Sequence, residues 1–379
     1  TFTARRAYAL ADRYREQGVP VVMGGFHPTF LPDEALGHAD AVVRGDAEGS
    51  WEQLLADFQQ GRLNKKYSGG NARSLDDFVI DRSMFKNKKY PPVEVIQYGR
   101  GCRFSCDFCS IHAFYQERQR VRSIRNILNE LNGLIQTSKK KLFFFVDDNL
   151  FASRDTLNAL LATVQPLGIR WACQISIDSA RDDALLDRMA EAGCMSVLIG
   201  FESLSSANLR QMGKSWNQAV GGSSGYAGVV KKFHQRGMAV YGTFVFGYDG
   251  DTVETVQKTL DFALEARLEV ANFNPLTPTP GTQLYQRLER EQRLLSPQWW
   301  LDPEYRYGDP IFIPKQMDPA EFAHQCFQAK KNFYSWPNIA RRVLVPETGF
   351  SWFRSGMVGL ANIISRREII LKQHKRLGD

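Results

Sequence analysis

The sequence has no long apolar segment. No window carries the unbroken run of about 20 apolar residues that a membrane-spanning helix needs, and the amino end shows no charged-then-apolar signal segment. The 379 residues are 43% hydrophobic and 23% charged, which is typical of globular proteins. We therefore expect a cytoplasmic protein of one large domain or two, with no transmembrane segment.

Paired cysteines are lacking as well. Of the six cysteines, Cys173, Cys194 and Cys326 stand alone among apolar neighbours, where buried free thiols are expected. The other three lie together in "GRGCRFSCDFCSIHAFY", residues 99–115. The absence of a paired framework argues against disulfides and indicates a reducing compartment.

The sequence is also poor in extended blocks of one charge sign. Its net charge is +7, but the basic residues are scattered and interleaved with acidic ones. A nucleic-acid-binding protein usually concentrates Lys and Arg on one face or in one run. A nucleic-acid partner is therefore not expected, and a mildly basic enzyme is the simpler interpretation.

Strand and helix patterns alternate along most of the chain. Residues 1–70 contain about two strand–glycine–helix units, which are too few to close a core alone. Residues 71–92 are polar and rich in Gly and Pro, which predicts a linker. A longer alternation fills residues 93–282. Residues 283–379 begin with an aromatic, Pro-rich segment and continue with helical patterns. They are predicted to form a carboxyl-terminal extension, which either covers one mouth of the main domain or packs without contact to substrate.

The main domain is predicted to be α/β with six strands: Val93–Tyr98, Leu142–Val146, Trp171–Ser176, Ser196–Gly200, Val240–Phe246 and Val270–Asn274. Helical patterns lie between them, so the strands are expected to be parallel, in an open barrel or a doubly wound sheet. In both folds the chemistry collects at the carboxyl ends of the strands.

Three local patterns give expectations about single elements. A probable capping box joins Asp251 and Glu254 at a helix start, and Gly221–Gly225 is expected to be a flexible loop. The segment 4–18 predicts a helix with the following residues on its apolar face: Ala7, Leu10, Ala11 and Tyr14.

The three clustered cysteines, Cys102, Cys106 and Cys109, lie in a polar loop directly after the first of the six strands. Thiolates suit zinc or iron–sulfur centres. A structural zinc ion needs four ligands, and His112 is the only nearby candidate for the fourth. A cubane cluster of four irons held by three cysteines instead leaves one iron open to a small molecule.

The C-x3-C-x2-C spacing, with aromatic Phe108 before the third cysteine, resembles the signature of the radical S-adenosylmethionine (SAM) superfamily. The resemblance implies a partial (β/α)6 barrel and a 4Fe–4S cluster held by Cys102, Cys106 and Cys109. It implies that the open iron binds the amino and carboxylate groups of SAM. One electron from the cluster then cleaves SAM to methionine and a 5′-deoxyadenosyl radical.

Later segments are similar to the other strands of such a barrel: "FFFVDDNLF", "WACQISIDSA", "SVLIGFES" and "YGTFVFGYDGDT". The resemblance implies that these residues bind SAM: Phe108 on the adenine side, with Gln174, Ser176, Glu202 and Thr243. Val245 and Gly247 align with Thr243 in the adenine-contacting motif. Asp148 is the candidate catalytic residue, holding SAM or substrate. The alternative is a helix N-cap by Asp148 or Asn149.

Residues 21–58 resemble the second half of a cobalamin-binding domain, which makes residues 1–70 a truncated Rossmann-like unit. The resemblance implies that two glycine loops cradle the nucleotide tail of cobalamin, through Gly24, Gly25, Gly45 and Glu48. His27 is a further cofactor-binding candidate, although a hydrogen-bonding role in the loop is simpler. A ligand-free remnant is the alternative. The strands that open such a domain are absent, and an Asp-x-His-x-x-Gly motif would lie upstream of Thr1.

The resemblance as a whole implies a cobalamin-dependent enzyme that transfers a methyl group to an unactivated carbon of a small-molecule substrate. The expected reductant is a flavodoxin or ferredoxin. The aromatic segment is expected to shape the substrate pocket through Trp299, Trp300, Tyr305 and Tyr307.

Two alternatives stay open. One is a cobalamin-dependent radical SAM cyclase or oxidoreductase, and the other is a zinc-stabilised binding module without catalysis. Methylthiolation of tRNA is disfavoured, because the extra amino-terminal cysteines and the small RNA-binding barrel of that family are not visible in the sequence.

Overall fold

The computed structural model describes residues 1–69, 74–76, 80–85, 88, 90–91, 93–116, 118–138, 142–344 and 352–377. Much of the predicted linker, residues 71–92, therefore lies outside the described residues. No helix in the described ranges combines the length and apolar character needed to cross a bilayer.

Strands and helices alternate as the sequence pattern predicts. The strands are β1 Val22–Met23, β2 Ala41–Arg44, β3 Lys66–Ser68, β4 Glu94–Ile96, β5 Gly99–Arg100, β6 Arg120–Val121, β7 Leu142–Phe145, β8 Arg170–Gln174, β9 Cys194–Glu202, β10 Ala239–Phe246 and β11 Val270–Pro275. The helices are α1 Ala4–Glu16, α2 Phe26–Phe30, α3 Pro32–Leu36, α4 Trp51–Gln59, α5 Ser110–Tyr115, α6 Ile124–Ser138, α7 Arg154–Val164, α8 Asp183–Glu191, α9 Ser206–Gln211, α10 Gly222–Gln235, α11 Val253–Glu265, α12 Gln283–Arg290, α13 Pro319–Phe333, α14 Trp336–Leu344 and α15 Trp352–Lys372.

The large sheet is built from all six strands predicted for the main domain. Its order in the described chain is β11-β10-β9-β8-β7-β4, and every neighbouring pair is parallel. The first and last strands, β4 and β11, form its two edges, so the sheet is an open, partial barrel. Crossover helices return the chain each time, which brings all six carboxyl ends to one edge.

The core of the sheet is aromatic. The rings of Phe201, Phe244 and Phe273 lie on adjacent strands β9, β10 and β11, with centroids 5.7 and 5.6 Å apart and nearly parallel planes. All three side chains are fully buried, as are Phe143 and Phe145 on β7. This packing fixes the strand register, because a one-residue slip would turn each ring to the other face.

The amino-terminal strands β1, β2 and β3 form a small parallel sheet. Val42 on β2 packs into the main core, whereas Ala41 and Val43 point to the opposite face and join a separate cluster with Leu54 and Tyr67. Alternate side chains of one strand thus serve two cores. The small sheet is therefore attached to the barrel through shared apolar packing.

The carboxyl-terminal helices cover the edge strand β11. The buried Tyr334 hydroxyl donates to the carbonyl of Ala271 at 2.9 Å and accepts from its amide at 3.2 Å. Asn362 on α15 donates to the carbonyl of Glu269 at 2.9 Å. These contacts satisfy backbone groups that an uncovered edge would expose to water or to another chain.

Three local expectations are wrong. Helix α1 buries Ala4, Tyr8 and Ala11, whereas three of the four residues predicted for the apolar face, Ala7, Leu10 and Tyr14, are exposed. The aromatic ring of Tyr8 stacks on His38 with centroids 4.3 Å apart, and its hydroxyl bonds to Glu34. Polar partners for Tyr8 thus decide which face of α1 is buried.

The other two corrections concern helix starts. The cap of α11 is a box between Thr252 and Thr255, because Asp251 instead accepts hydrogen bonds from the amides of Gly247 and Tyr248. The predicted loop Gly221–Gly225 is the start of α10, with Gly221 at φ 91° as its N-cap. Tertiary packing of the later apolar turns of α10 overrides the weak helix propensity of glycine.

Candidate active site at the carboxyl edge of the sheet

The cysteine loop is held closed by a small hairpin. β5 pairs antiparallel with β6, so residues 101–119 form one excursion that contains all three clustered cysteines. Gly101 has φ 86°, and a Cβ atom there would lie 2.0 Å from the carbonyl oxygen of Arg118. A Cβ at Gly99 would lie 2.7 Å from that of Arg120. Only glycine fits at these close backbone approaches.

Two carboxylates after β7 support the same loop. Asp147 accepts hydrogen bonds from the amides of Tyr98, at 3.0 Å, and Gly99. Asp148 accepts from the amide of Gly101 at 2.9 Å. Burial raises the pKa of Asp147 to about 7 and also raises the pKa of Asp148. Asp148, the predicted catalytic residue, is thus bonded to the backbone of the cysteine loop.

The three thiols lie close enough to interact electrostatically with one another. Cys106 is buried, and Cys102 and Cys109 are half-buried. Burial raises the pKa of each thiol, and the ammonium group of Lys214 opposes that rise. A thiolate must form before iron binds, so a nearby cation favours a metal site.

The chemistry of this donor set fits a cubane cluster, because three thiolates can each bind a separate iron. Within the described ranges, no group of three His, Cys, Asp or Glu side chains is placed to hold one metal ion. A structural zinc ion needs four ligands around one ion. The imidazole of His112, the fourth ligand in the zinc hypothesis, does not complete a zinc-binding group with the thiols.

Asn149 links the cysteine loop to the third strand of the sheet. Its amide nitrogen lies 3.7 Å from Cys102 Sγ and 3.3 Å from Ser176 Oγ. Its side-chain oxygen, Oδ1, accepts hydrogen bonds from the backbone amides of Ser176 and Phe151, each at 3.1 Å. From the sequence, Asn149 is predicted only as a possible helix cap. In the structure the cap of α7 is Ser153, and Asn149 is part of the site.

Glu202 forms a buried ion pair with Lys214, a residue that the sequence analysis missed. Lys214 Nζ lies 2.8 Å from Glu202 Oε1 and 2.9 Å from the carbonyl oxygen of Gly200. Glu202 has φ 63°, which turns its side chain back over β9. Burial lowers the pKa of Lys214, but the charges of Glu202 and Cys106 outweigh burial and leave it raised. The pair therefore brings opposite charges to the cysteine loop.

A cavity of about 350 Å³ lies between the carboxyl edge and the carboxyl-terminal extension. Phe108 and Val245 line it from the barrel, and Tyr305, Tyr307 and Lys330 line it from the extension. Burial lowers the pKa of Lys330. The cavity therefore joins an apolar wall to a partly desolvated amine, next to the cysteine loop.

The remaining predicted residues of the barrel are distributed around this edge. Gln174 and Thr243 are half-buried near the carboxyl ends of β8 and β10. Trp299 and Trp300 are buried and do not line the cavity, contrary to expectation. Their indole nitrogens donate to the carbonyl of Pro278 and to Glu34, so they tie the extension to the barrel and to the amino-terminal segment.

The predicted cobalamin-binding residues surround the carboxyl end of the small sheet. Gly25 and Gly45 have φ 90° and 77°, values that favour glycine. At Gly24 a Cβ would make only ordinary contacts with Val43. Buried His27 bonds to Glu34 at 3.0 Å. Glu48 pairs with an arginine of the barrel hairpin, Arg100, at 2.7 Å.

A second cavity, of about 320 Å³, opens between the small sheet and the helix after the cysteines. Gly45 and Thr29 line one side, and Phe114, Tyr115 and Arg120 line the other. Of the residues predicted to bind cobalamin, Gly45 lines this cavity and Gly24, Gly25, His27 and Glu48 do not. The structure thus supports a binding space beside one of the two predicted glycine loops.

Comparison with known proteins adds to this geometry. The family described as "Radical SAM superfamily" matches residues 96–263. Bacteriochlorophyllide d C-12(1)-methyltransferase of Chlorobaculum tepidum is 31% identical over 360 residues, covering 93% of this chain and 77% of that protein. Anaerobic magnesium-protoporphyrin IX monomethyl ester cyclase of Rubrivivax gelatinosus is 23% identical, covering 88% of this chain and 63% of that protein.

A solved structure shares the fold. The radical S-adenosylmethionine methyltransferase TsrM from Kitasatospora setae, with cobalamin and a [4Fe-4S] cluster bound, aligns with a TM-score of 0.61 at 18% identity. The alignment covers 84% of this chain and 67% of that one. Together with the cysteine loop at the carboxyl edge of a partial barrel, these matches establish that the chain is an enzyme of the radical SAM superfamily.

Proposed function

We propose that this enzyme is a cobalamin-dependent methyltransferase that methylates an unactivated carbon of a small-molecule substrate. The observation that carries the proposal is the three-cysteine loop, closed by glycines and held by Asp147 and Asp148 at the edge where six strands end. The methyltransferase at 31% identity over 93% of the chain supports methyl transfer over other radical chemistry.

Cys102, Cys106 and Cys109 are assigned to hold the 4Fe–4S cluster, and the open iron is assigned to SAM. When bound, these groups supply one-electron chemistry and cobalamin supplies a transferable methyl group. The protein's own contribution is positional. Asn149 orients Cys102 and Ser176 together, and Lys214 lends positive charge to the thiolates that hold the cluster.

SAM is assigned to the space between the cysteine loop and the 350 Å³ cavity. Ser176 and Glu202 lie on the cluster side, with Gln174 and Thr243 near the same strand ends. The cavity has the size of a small-ligand pocket, and Phe108 and Val245 give it the apolar surface that an adenine ring needs. Lys330 is the cation from the extension that can donate to a ring nitrogen or to the ribose.

Asp148 is assigned a positioning role rather than a catalytic one. Its carboxylate already accepts the amide of Gly101 at 2.9 Å, and the neighbouring Asp147 holds the two residues before the loop. A carboxylate bonded in this way fixes the position of Cys102 relative to β7. The chemistry then falls to the cofactors and to the residues that orient them.

Cobalamin is assigned to the face of the small sheet beside Gly45. The 320 Å³ cavity is large enough for part of this cofactor, such as its nucleotide tail, and the arginines Arg118 and Arg120 in its lining suit a phosphate group. Gly24, Gly25, His27 and Glu48 then act by shaping the loops around that face. A flavodoxin or ferredoxin is proposed as the reductant, in a reducing cytoplasm where Cys173, Cys194 and Cys326 persist as free thiols.

The deciding experiment is anaerobic. The enzyme is reconstituted with iron and sulfide, reduced, supplied with SAM, and assayed for bound iron, acid-labile sulfide and 5′-deoxyadenosine. We expect Cys106→Ala to lose the cluster and the nucleoside product together. The matched control is Cys173→Ala, which removes a buried thiol outside the loop and should retain both.

Two outcomes would redirect the proposal. Zinc in place of iron, without acid-labile sulfide, would favour the binding module and overturn the catalytic proposal. Deoxyadenosine that accumulates with a processed substrate but no methylated product would favour the cyclase or oxidoreductase alternative.

A further inference from the structure

Helix α15 carries apolar residues on two sides. Its inward side packs Ile369 against the main core and buries two polar residues, Ser355 and Asn362. Asn362 is fully buried, donates to the carbonyl of Glu269 at 2.9 Å and accepts from Arg342 at 2.7 Å. A helix that only packs on its own protein turns its apolar side inward. The outward side of α15 is also rich in apolar residues.

The outward residues form a single stripe, called here the apolar stripe. Its members are Trp352, Phe353, Leu360, Ile363, Ile364, Ile370 and Leu371, each between 47% and 86% exposed. At about 100° per residue all seven fall within a sector about 120° wide and roughly 28 Å long. The same sector also contains two other exposed residues, Gly356 and Arg367. Scattered exposed apolar residues are normal, but seven along one side of a helix mark an interaction surface.

The charge around the stripe identifies its partner. From Arg366 onward the described chain carries four exposed cations, at Arg367, Lys372, Lys375 and Arg376. Two carboxylates lie against them: Glu368 pairs with Lys372 at 3.1 Å, and Glu304 pairs with Arg376 at 3.6 Å. The neighbouring helix α14 adds exposed Trp336, whose ring lies 5.0 Å from the guanidinium of Arg366. Aromatic and aliphatic residues on one face with Lys and Arg beside them are the pattern of helices that lie in a membrane surface.

We infer that α15 seats the enzyme on an anionic lipid surface, with the helix axis in the plane of the interface and the apolar stripe inserted among the acyl chains. The cations then contact lipid phosphates. A second copy of the chain, bound symmetrically through the stripe, is the competing occupant, and light scattering distinguishes it from lipid. This inference does not depend on the proposed reaction.

The test is flotation of the full chain with vesicles. We expect the protein to float with vesicles of phosphatidylglycerol and phosphatidylcholine at low salt, and to bind pure phosphatidylcholine weakly. The double variant Ile363→Asp/Ile364→Asp should lower the partition coefficient onto the anionic vesicles at least about tenfold. The charge variant Arg367→Glu/Lys375→Glu should lower binding to the anionic vesicles alone.

A matched control uses two exposed apolar residues elsewhere. Leu55 and Phe58 on α4 are 42% and 48% exposed, so Leu55→Asp/Phe58→Asp makes the same chemical change away from the stripe and should bind as the unmodified protein does. Thermal melting checks that each variant is folded. If Ile363→Asp/Ile364→Asp binds the anionic vesicles as well as Leu55→Asp/Phe58→Asp does, the inference is overturned. A second result would also overturn it: light scattering shows a dimer of the unmodified protein, the Ile363→Asp/Ile364→Asp variant is a monomer, and neither of these two proteins binds vesicles.

Discussion

The charged side chains nearest the cysteine loop are largely engaged by the protein itself. Asp147 and Asp148 accept three backbone amides of the segment that leads into the loop, and Glu202 is paired with Lys214 at 2.8 Å. Such contacts fix a loop before any ligand arrives, and preorganisation of this kind reduces the cost of binding and of reaction. In the proposed site these carboxylates therefore act as supports of the cysteine loop.

Asp251, at the turn after β10, gives a prediction about pH. Burial raises its pKa to about 6, although the amides of Gly247 and Tyr248 and the side chain of Asn208 donate to it. Between about pH 4 and 6 the folded protein holds a proton that the unfolded chain has released. The free energy of unfolding therefore falls as pH rises through this window, by up to about 3 kcal/mol.

Asp251→Asn should remove that dependence. At pH 4.5 we expect the variant to be about 1 kcal/mol less stable, because its amide faces the amide of Asn208. At pH 7 the deficit should shrink or reverse, since the variant has no charge to bury. Thermal melting at both pH values measures the change. The surface variant Asp261→Asn is the control. The prediction is contradicted if the stability difference between Asp251→Asn and the unmodified protein is the same at both pH values.

The sequence predicts the ligands of the site better than their supports. The spacing of Cys102, Cys106 and Cys109 identifies the loop without a structure, because one short segment contains all three donors. Lys214 and Lys330 come from segments far away in sequence, and no local pattern distinguishes a buried lysine from a surface one. Only the fold brings them to the cysteines and to the cavity.

At the scale of elements, the carboxyl-terminal helices cover the exposed edge strand of the open sheet. A closed barrel has no edge strands, but a six-stranded partial barrel leaves β11 with unpaired backbone groups. In the described structure, the Tyr334 hydroxyl both donates to and accepts from Ala271 on this strand. The extension is thus a structural necessity for the barrel as well as a wall of the adjoining cavity.

Tyr334→Phe tests this role of the extension. Loss of the hydroxyl leaves the amide and carbonyl of Ala271 without this partner, so we expect the free energy of unfolding to fall by about 1–3 kcal/mol. Amide exchange along β11 should become faster, while β7 and β8 keep their protection. Tyr14→Phe is the control, because that side chain is 55% exposed. Equal effects of the two substitutions would argue against the edge contact.

The strands were predictable from sequence because each is a short apolar run between helical patterns, and all six match the structure within a few residues. Helix faces were less predictable. On α1 the residue that decides burial is Tyr8, whose hydroxyl needs Glu34 and whose ring needs His38. These partners follow later in the chain, so periodicity alone favours the wrong side. The burial of Asn362 on α15 likewise depends on tertiary contacts, with Arg342 and the carbonyl of Glu269.

At the scale of the whole molecule, the small sheet and the barrel are joined by charge as well as by packing. Asp46, in the turn after β2, pairs with Arg100 at 3.3 Å and with Arg120, one from each strand of the hairpin that closes the cysteine loop. Glu48 adds a pair with Arg100. The proposed cobalamin site and the cysteine loop are therefore coupled through two carboxylates and two guanidinium groups.

Asp46→Asn should weaken this junction. The Asp46 side chain is only 8% exposed, so its charge is poorly screened, and we expect a loss of about 1–3 kcal/mol together with faster tryptic cleavage within residues 1–69. Asp33→Asn is the control. It removes a carboxylate on α3 that is 82% exposed and pairs with Lys66 on β3, so the free energy of unfolding should fall by less than about 1 kcal/mol.

Salt distinguishes an ionic junction from a merely packed one. Raising the ionic strength to about 1 M shortens the screening length to about 3 Å, so part of the unmodified protein's advantage over Asp46→Asn should disappear. Melting temperature and cleavage rate at low and high salt measure both effects on the same samples. If Asp46→Asn and Asp33→Asn melt and digest alike, packing of Val42 and its neighbours alone holds the small sheet on the barrel. If they differ as expected, the hairpin around the cysteines depends on the small sheet for its charge balance, and a change at either site reaches the other.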